Sequence, residues 1–378
     1  MMYVIGLMSG TSMDGVDVAL VNIEGVNETT KVELIEFVTY PFARDLKSKI
    51  MTQLTDKKAT VSGICSLDFE LGAYFAKAVI KLCQLSHKDV TEIEFIASHG
   101  QTLYHLPTPK DSKYVASTLQ LGNASVLAEK TGITVISDFR SRDIAVGGQG
   151  APIVPLTEAL LYREKTKTML FQNIGGIGNV SIFLKDSPNE KCVAFDTGPG
   201  NMMIDEVVRR FYGKEYDKGG EIAAKGKVNH GILSMLLLHP YFKELIPKTT
   251  GREVFGSQFV DEILSRYILC PEDWVATLTA YTAESIILGV EEFLQGDEEK
   301  ELVIAGGGSR NKTLLSYLIR ALPNVNVVTL EELGNNSEAK EAVAMAVLGN
   351  QTYHKQPGNL PSATGAGKAV SLGSITYY

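Results

Sequence analysis

Residues 9–15, SGTSMDG, stand between two apolar or alternating runs, residues 3–8 and 15–23, and read as a Gly-rich turn joining two strands at the very start of the chain. A turn so dense in Gly, Ser and Thr leaves backbone N–H groups free to point at one anion, because no Cβ blocks the approach of a phosphate. Alone, such a turn is more often an ordinary tight hairpin. Three companions change the reading. NIGGIGNVS (173–181), FDTGPGN (195–201) and AGGGSRN (305–311) each follow an apolar run directly, where ligands of α/β sheets collect. The chain has no GxxxxGK[ST] sequence and no convincing dinucleotide fingerprint, so a phosphate grip of another type is expected.

Working outward from residues 9–15, a third strand is expected over 32–40 and a helix over 44–54, and residues 60–85 carry apolar side chains at helical spacing. A short strand over 94–97 ends in SHGQT (98–102), and residues 119–137 supply strand, helix and strand in quick succession. From residue 167 the opening pattern returns: a strand into NIGGIG, strands over 180–184 and 192–195, and a helix opening at GPGN. The hairpin is built twice, although the two copies share few residues. Helices over 271–294, 310–322 and 338–351 alternate with strands over 302–305 and 326–330, which is α/β architecture. A chain of 378 residues exceeds the roughly 250–300 at which a single core stops growing. Two lobes are therefore expected: residues 1–130 plus 355–378, with the first glycine turn, and residues 131–354, with the others. The turn-rich last residues, PGNLPSATGAGKAVSLGSITYY, end in a strand-like run suited to return to the first lobe's sheet.

Apolar residues make up 44% and charged ones 21%, the profile of an ordered globular protein. A net charge of -8 without any Lys/Arg stripe argues against nucleic acid as a partner. Cys65, Cys83, Cys192 and Cys270 lack CxxC spacing and nearby His, so they read as thiols in a reducing compartment rather than a disulfide scaffold or a zinc site. The apolar start MMYVIGLMSG has neither a basic leader nor a cleavage signature, and no stretch is long enough to span a bilayer. A cytoplasmic location without membrane partners is the expectation.

Phosphoryl transfer is mostly positioning and charge stabilisation, but it needs a group that orients or deprotonates the nucleophile. Asp196, at a strand end just before GPGN, is read either as an N-cap or, between two phosphate turns, as the base. Asp14 and Asp17 in the first turn are candidates for Mg2+ contact through water, since Mg2+ keeps much of its hydration shell; a purely structural turn role is the other reading. Residues 138–143, DFRSRD, pack two arginines and two aspartates before a Gly-rich loop, either as a self-paired surface turn or as a guanidinium poised to grip a carboxylate. SHGQT offers hydrogen-bonding groups for sugar hydroxyls, whereas His99 by itself reads as a satisfied buried histidine.

Taken together, GLMSGTSMDGVD (6–17), SHGQT, DFRSRDIAVGGQGAP (138–152), NIGGIGNVS, FDTGPGN, PKTTGRE (247–253) and PGNLPSATGA (357–366) resemble the anhydro-N-acetylmuramic acid kinases from end to end, in the family's order. The resemblance implies a two-lobed actin-like ATPase fold of the ribonuclease H-like type, with a nucleotide cleft between the lobes. It implies ATP and Mg2+ as cofactors, and 1,6-anhydro-N-acetylmuramic acid as the substrate, opened by water and phosphorylated at O6 for cell-wall sugar recycling. Carried over by motif, Gly10, Thr11, Ser12, Met13, Asp14, Gly15, Val16 and Asp17 form the first phosphate loop. Gly175, Gly176 and Asn179 belong to the second, while Gly306, Gly307, Gly308 and Asn311 lie at the nucleoside. Asp196 activates the water, Arg142 binds the lactyl carboxylate, Thr102 and Glu341 contact the sugar, and PKTTGRE lines the cleft. Glu341 also reads as a plain acidic residue near a helix start. No direct metal ligand is assigned, and a homodimer is implied. The competing readings are a nucleotide-switched actin-like or chaperone-like binding protein, a kinase for another sugar, and a catalytically dead sugar-binding regulator.

Overall fold

A computed structural model describes residues 2–10, 15–55, 58–109 and 111–378. The strands are β1 (Met2–Ser9), β2 (Gly15–Glu24), β3 (Lys31–Pro41), β4 (Ile93–Leu106), β5 (Ser117–Leu121), β6 (Val135–Ser137), β7 (Thr168–Ile174), β8 (Ile177–Phe183), β9 (Val193–Pro199), β10 (Lys300–Ala305), β11 (Asn326–Thr329) and β12 (Ser374–Thr376). They form two sheets, one in each of two compact units.

In the first unit the order is β12-β6-β4-β1-β2-β3, with β5 beside β4. Strands β1, β2 and β3 are antiparallel neighbours, while β4 and β6 run parallel to β1 and to each other. In the second unit the order is β11-β10-β7-β8-β9, again three antiparallel strands followed by two parallel ones. The duplication expected from the two glycine hairpins is thus a duplication of sheet topology, the ribonuclease H-like order built twice. β12 pairs antiparallel with β6, as the strand-like C-terminal run suggested.

The boundaries of the units differ from those expected. The first comprises residues 1–162 and 339–378, the second residues 163–338. β6 belongs to the first unit because it pairs with β4, so the chain leaves well beyond residue 131. The helix Lys340–Tyr353 also belongs there, not to the second lobe. It lies on β1 so closely that a Cβ at Gly6 would come 1.8 Å from the carbonyl oxygen of Ala342, and one at Gly349 2.6 Å from the Ala97 side chain. Linear periodicity identifies such a helix but not the sheet that covers it.

On the opposite face the helix Val61–Leu85 buries Leu67, Leu71, Phe75, Val79 and Leu82, at helical spacing, against the apolar side chains of the sheet. Its start is capped by the Thr60 hydroxyl, which accepts from the Gly63 N–H at 3.0 Å. β4 is far longer than residues 94–97: SHGQT lies inside the strand, and its second half pairs with β5. Four polar residues or Gly in a row masked that continuation. No helix among the described residues is long and apolar enough to cross a membrane.

Candidate active site

In the second unit the β7–β8 turn presents Gly175 and Gly176, whose N–H groups make no hydrogen bond among the described residues. Their carbonyls are occupied instead: Asn201 N–H donates to Gly175 at 2.7 Å and Gly200 N–H to Gly176 at 2.9 Å. The turn is therefore braced from behind with its donors outward, the arrangement an anion requires. Asn179 lies within β8, opposite Asp196. The Gly306–Gly308 turn is wedged against this hairpin. Gly306 has φ +80°, and a Cβ there would meet the Asn173 Oδ1 at 2.5 Å, while one at Gly308 would meet the Ile174 side chain at 2.4 Å. Asn311 caps the helix Lys312–Ala321 through Oδ1, which accepts from Leu314 N–H at 3.0 Å.

Asp196 is no N-cap, since the following helix begins at Met202. It sits on the edge strand, with Thr197 bulged out of the β8–β9 ladder. Residues 241–250 hold three of its polar groups. Its N–H donates to the Lys248 carbonyl at 3.0 Å, its carbonyl accepts from the Tyr241 hydroxyl at 2.5 Å, and Oδ2 accepts from Thr250 N–H at 2.9 Å. Oδ1 makes no hydrogen bond among the described residues. Burial pushes the carboxyl up to about 6, against the pull of the Thr250 N–H and with a further push from Glu253. A one-sided, partly desolvated carboxylate of this kind accepts a proton near neutral pH.

In the first unit Ser9 is buried, and its hydroxyl donates to Gln101 Oε1 at 2.6 Å. Gln101 Nε2 donates in turn to the Gly10 carbonyl at 3.3 Å, tying β4 to the entry of the first glycine loop. Thr11, Ser12, Met13 and Asp14 lie outside the described residues. Gly15, Val16 and Asp17 fall in β2 rather than in a turn; Val16 is core, and Asp17 Oδ1 accepts from the Thr39 hydroxyl at 2.6 Å.

Arg142, the expected carboxylate grip, is exposed on the short helix Ser141–Ala145 and holds no partner among the described residues. Arg140, two residues earlier, is the arginine built into the fold. Its Nε donates to His99 Nε2 at 2.9 Å and its Nη1 to the Gly150 carbonyl at 2.6 Å. His99 Nδ1 therefore carries the proton and donates to the Gly100 carbonyl at 2.7 Å. Burial, and then the neighbouring Arg140, hold this imidazole down at about 3, so it remains neutral. Burial also lowers Arg140 to about 10, with Glu341 and Asp143 opposing. Glu341 lies in the first turn of Lys340–Tyr353; desolvation raises its carboxyl, and Lys340 and Arg140 pull it back. The same turn is anchored by a buried ion pair, Lys340 Nζ to Glu158 Oε1 at 2.5 Å. Thr102 is half-buried on β4 and accepts from Gln120 Nε2 at a long 3.4 Å.

A family model for anhydro-N-acetylmuramic acid kinase matches residues 2–378. The chain belongs to the anhydro-N-acetylmuramic acid kinase family. A relative of that name from Bacillus cereus (strain AH187) is 48% identical over 380 residues, covering 100% of this chain and 99% of its own length. Another, from Bacillus thuringiensis subsp. konkukian (strain 97-27), is 47% identical with the same coverage. Among solved structures, the Acidaminococcus fermentans (R)-2-hydroxyglutaryl-CoA dehydratase component A is similar over 92% of this chain and 97% of its own, at 11% identity and a TM-score of 0.46.

For this member of the kinase family, sequence reasoning singled out the glycine turns and Asp196 and passed over Arg140, Tyr241 and Lys248, which the hydrogen bonds bring forward. Arg140 lies in DFRSRD, and that it rather than Arg142 meets His99 is a tertiary contact. Lys248 stood in the quoted PKTTGRE, whereas Tyr241 carried no motif at all and is found only by following the hydrogen bonds of Asp196.

Proposed function

We propose that the chain is an ATP-dependent kinase that opens 1,6-anhydro-N-acetylmuramic acid with water and phosphorylates O6, giving N-acetylmuramic acid 6-phosphate and ADP. The observation that carries this reading is Asp196, held at its N–H, its carbonyl and Oδ2, its carboxyl raised to about 6, with Oδ1 free of hydrogen bonds among the described residues. Water adds to C1 as its proton passes to Oδ1, and the C1–O6 bond breaks. O6 then forms its bond to the γ-phosphorus as the bridging P–O bond to ADP breaks. The phosphorus electrophile takes the place of the general acid, so one carboxylate suffices where a glycosidase uses two.

The Gly175 and Gly176 N–H groups would hold phosphate oxygens, and Gly10–Asp17 would form a phosphate loop in their own right. Gly306–Gly308 would receive the nucleoside, with Asn311 lending its amide end. Mg2+, reached through water by Asp17 and by Asp14, would neutralise phosphate charge. Arg142, exposed and unpaired among the described residues, would grip the lactyl carboxylate, with Thr102 and Glu341 at the sugar and Arg140 setting the charge beside Glu341. A cytoplasmic homodimer is part of the proposal; free Cys65, Cys83, Cys192 and Cys270 agree with a reducing compartment.

The test is coupled ADP release from the purified chain with ATP, Mg2+ and 1,6-anhydro-N-acetylmuramic acid, with ordinary N-acetylmuramic acid as control. Turnover confined to the anhydro sugar supports the reading. Equal ADP release without sugar would make the chain a switch-type ATPase, and a preference for the ordinary sugar would remove the substrate assignment.

A further inference from the structure

We propose that a polar cavity of the first unit, lined by the middle of β4, β5 and the start of Ser141–Ala145, seats the acetamido arm of the substrate; this rests on the sugar-kinase reading above. The cavity measures about 280 Å3 and is lined by Asp68, Ser98, Gln120, Asn123, Asp138 and Ser141, among others. That lies just under the ~300 Å3 at which small-molecule pockets begin, room for an arm of a sugar rather than the whole bicyclic ring.

Charge decides which arm. No Lys or Arg lines the cavity among the described residues, and two carboxylates do, so the lactyl carboxylate is turned away. The carboxylates are engaged with the fold: Asp68 accepts from Gly122 N–H at 2.9 Å and Asn123 Nδ2 at 2.8 Å, and Asp138, at φ 62°, accepts from Ser141 N–H at 3.3 Å. Beside the second oxygen of Asp138, which only repels an anion, neutral groups are left open. Ser98 is 1% exposed, yet its hydroxyl finds no partner among the described residues. An orphaned buried hydroxyl is destabilising, and a ligand group entering the cavity would remove that cost. Gln120 spends its Nε2 on Thr118 at 2.7 Å and on Thr102 at 3.4 Å, while its Oε1 makes no hydrogen bond among the described residues.

Among the groups that remain, a buried donor and an acceptor match a secondary amide: Ser98 Oγ–H donates to the acetamido carbonyl, and Gln120 Oε1 accepts its N–H. The anhydro sugar has three distinctive parts. Its C1–O6 bridge belongs to the reaction and its carboxylate needs a cation, so the acetamido group is the part this cavity fits. Gln120 also touches Thr102, which joins the cavity to a residue already assigned to the sugar.

The experiment compares kcat/KM on 1,6-anhydro-N-acetylmuramic acid with that on its counterpart bearing a hydroxyl in place of the acetamido group, in the wild-type chain, Ser98→Ala and Gln120→Leu. Ser98→Ala removes one oxygen and leaves no new orphan, so it keeps the test open should Gln120→Leu fold poorly. The wild type should favour the acetamido sugar at least ~10-fold. Each variant should lose about 5–10-fold on it through KM, and no more than about twofold on the counterpart. Equal losses on both sugars, or none on either, would overturn the assignment. A wild type active on both sugars without preference would overturn it while leaving the kinase intact; no sugar-dependent ADP release at all would remove both.

Discussion

Asp196→Asn should abolish turnover and, at the same time, stabilise the protein. Burial lifts the Asp196 carboxyl from its ordinary 3.8 to about 6, so ionising it in the folded chain costs free energy that the unfolded chain does not face. At 1.36 kcal/mol per pH unit the ceiling is ~3 kcal/mol at neutral pH. Asparagine keeps the shape and still accepts from Thr250 N–H, though less strongly than a carboxylate, which leaves about 2 kcal/mol. Because the folded pKa is the higher one, the wild-type contribution is fully present below about pH 4 and is lost as pH rises through about 6. The two proteins should therefore melt together at low pH and separate above it. At about 2–4 °C per kcal/mol for a unit of this size, the variant gains ~4–8 °C at pH 7 and above. Melting curves at half-unit pH steps measure this, with ADP release as the activity readout. A variant that melts at or below the wild type at pH 7–8, or whose advantage shrinks with rising pH, would refute the desolvated-base argument even if activity were lost.

Tyr241→Phe removes the hydroxyl that holds the Asp196 carbonyl without touching the carboxylate. We expect kcat to fall about tenfold with KM little changed, about 1 kcal/mol of lost stability, and an acid limb of the pH–rate profile still near 6. A displaced limb would instead mean that Tyr241 tunes the carboxylate rather than places it. Gly6→Ala would drive a methyl to 1.8 Å from the Ala342 carbonyl, so the helix carrying Lys340 and Glu341 must lift from β1. A loss of roughly 3 kcal/mol or more follows from overpacking at a backbone contact, and a melting temperature within about 1 °C of wild type would contradict the packing described.

Local chemistry made much of this protein legible in one dimension. Glycines free of Cβ, set directly after apolar runs, marked both glycine hairpins and the Gly306–Gly308 turn, because the backbone freedom such turns need is a property of the residue itself. The carboxylate before GPGN was visible for the same reason. Length and α/β alternation gave two units, but not their edges. The helix Lys340–Tyr353 and β6 joined the first unit through packing at Gly6 and pairing with β4, contacts between residues far apart in the chain. The sequence determined which groups can do the chemistry, since reactivity resides in side chains and turns. Only the tertiary structure decided how they are held: His99 receives Arg140 and leaves Arg142 exposed, and an unremarked Tyr241 donates to the Asp196 carbonyl. Burial and hydrogen-bond partners set charge state and orientation, and those arise only when distant segments meet.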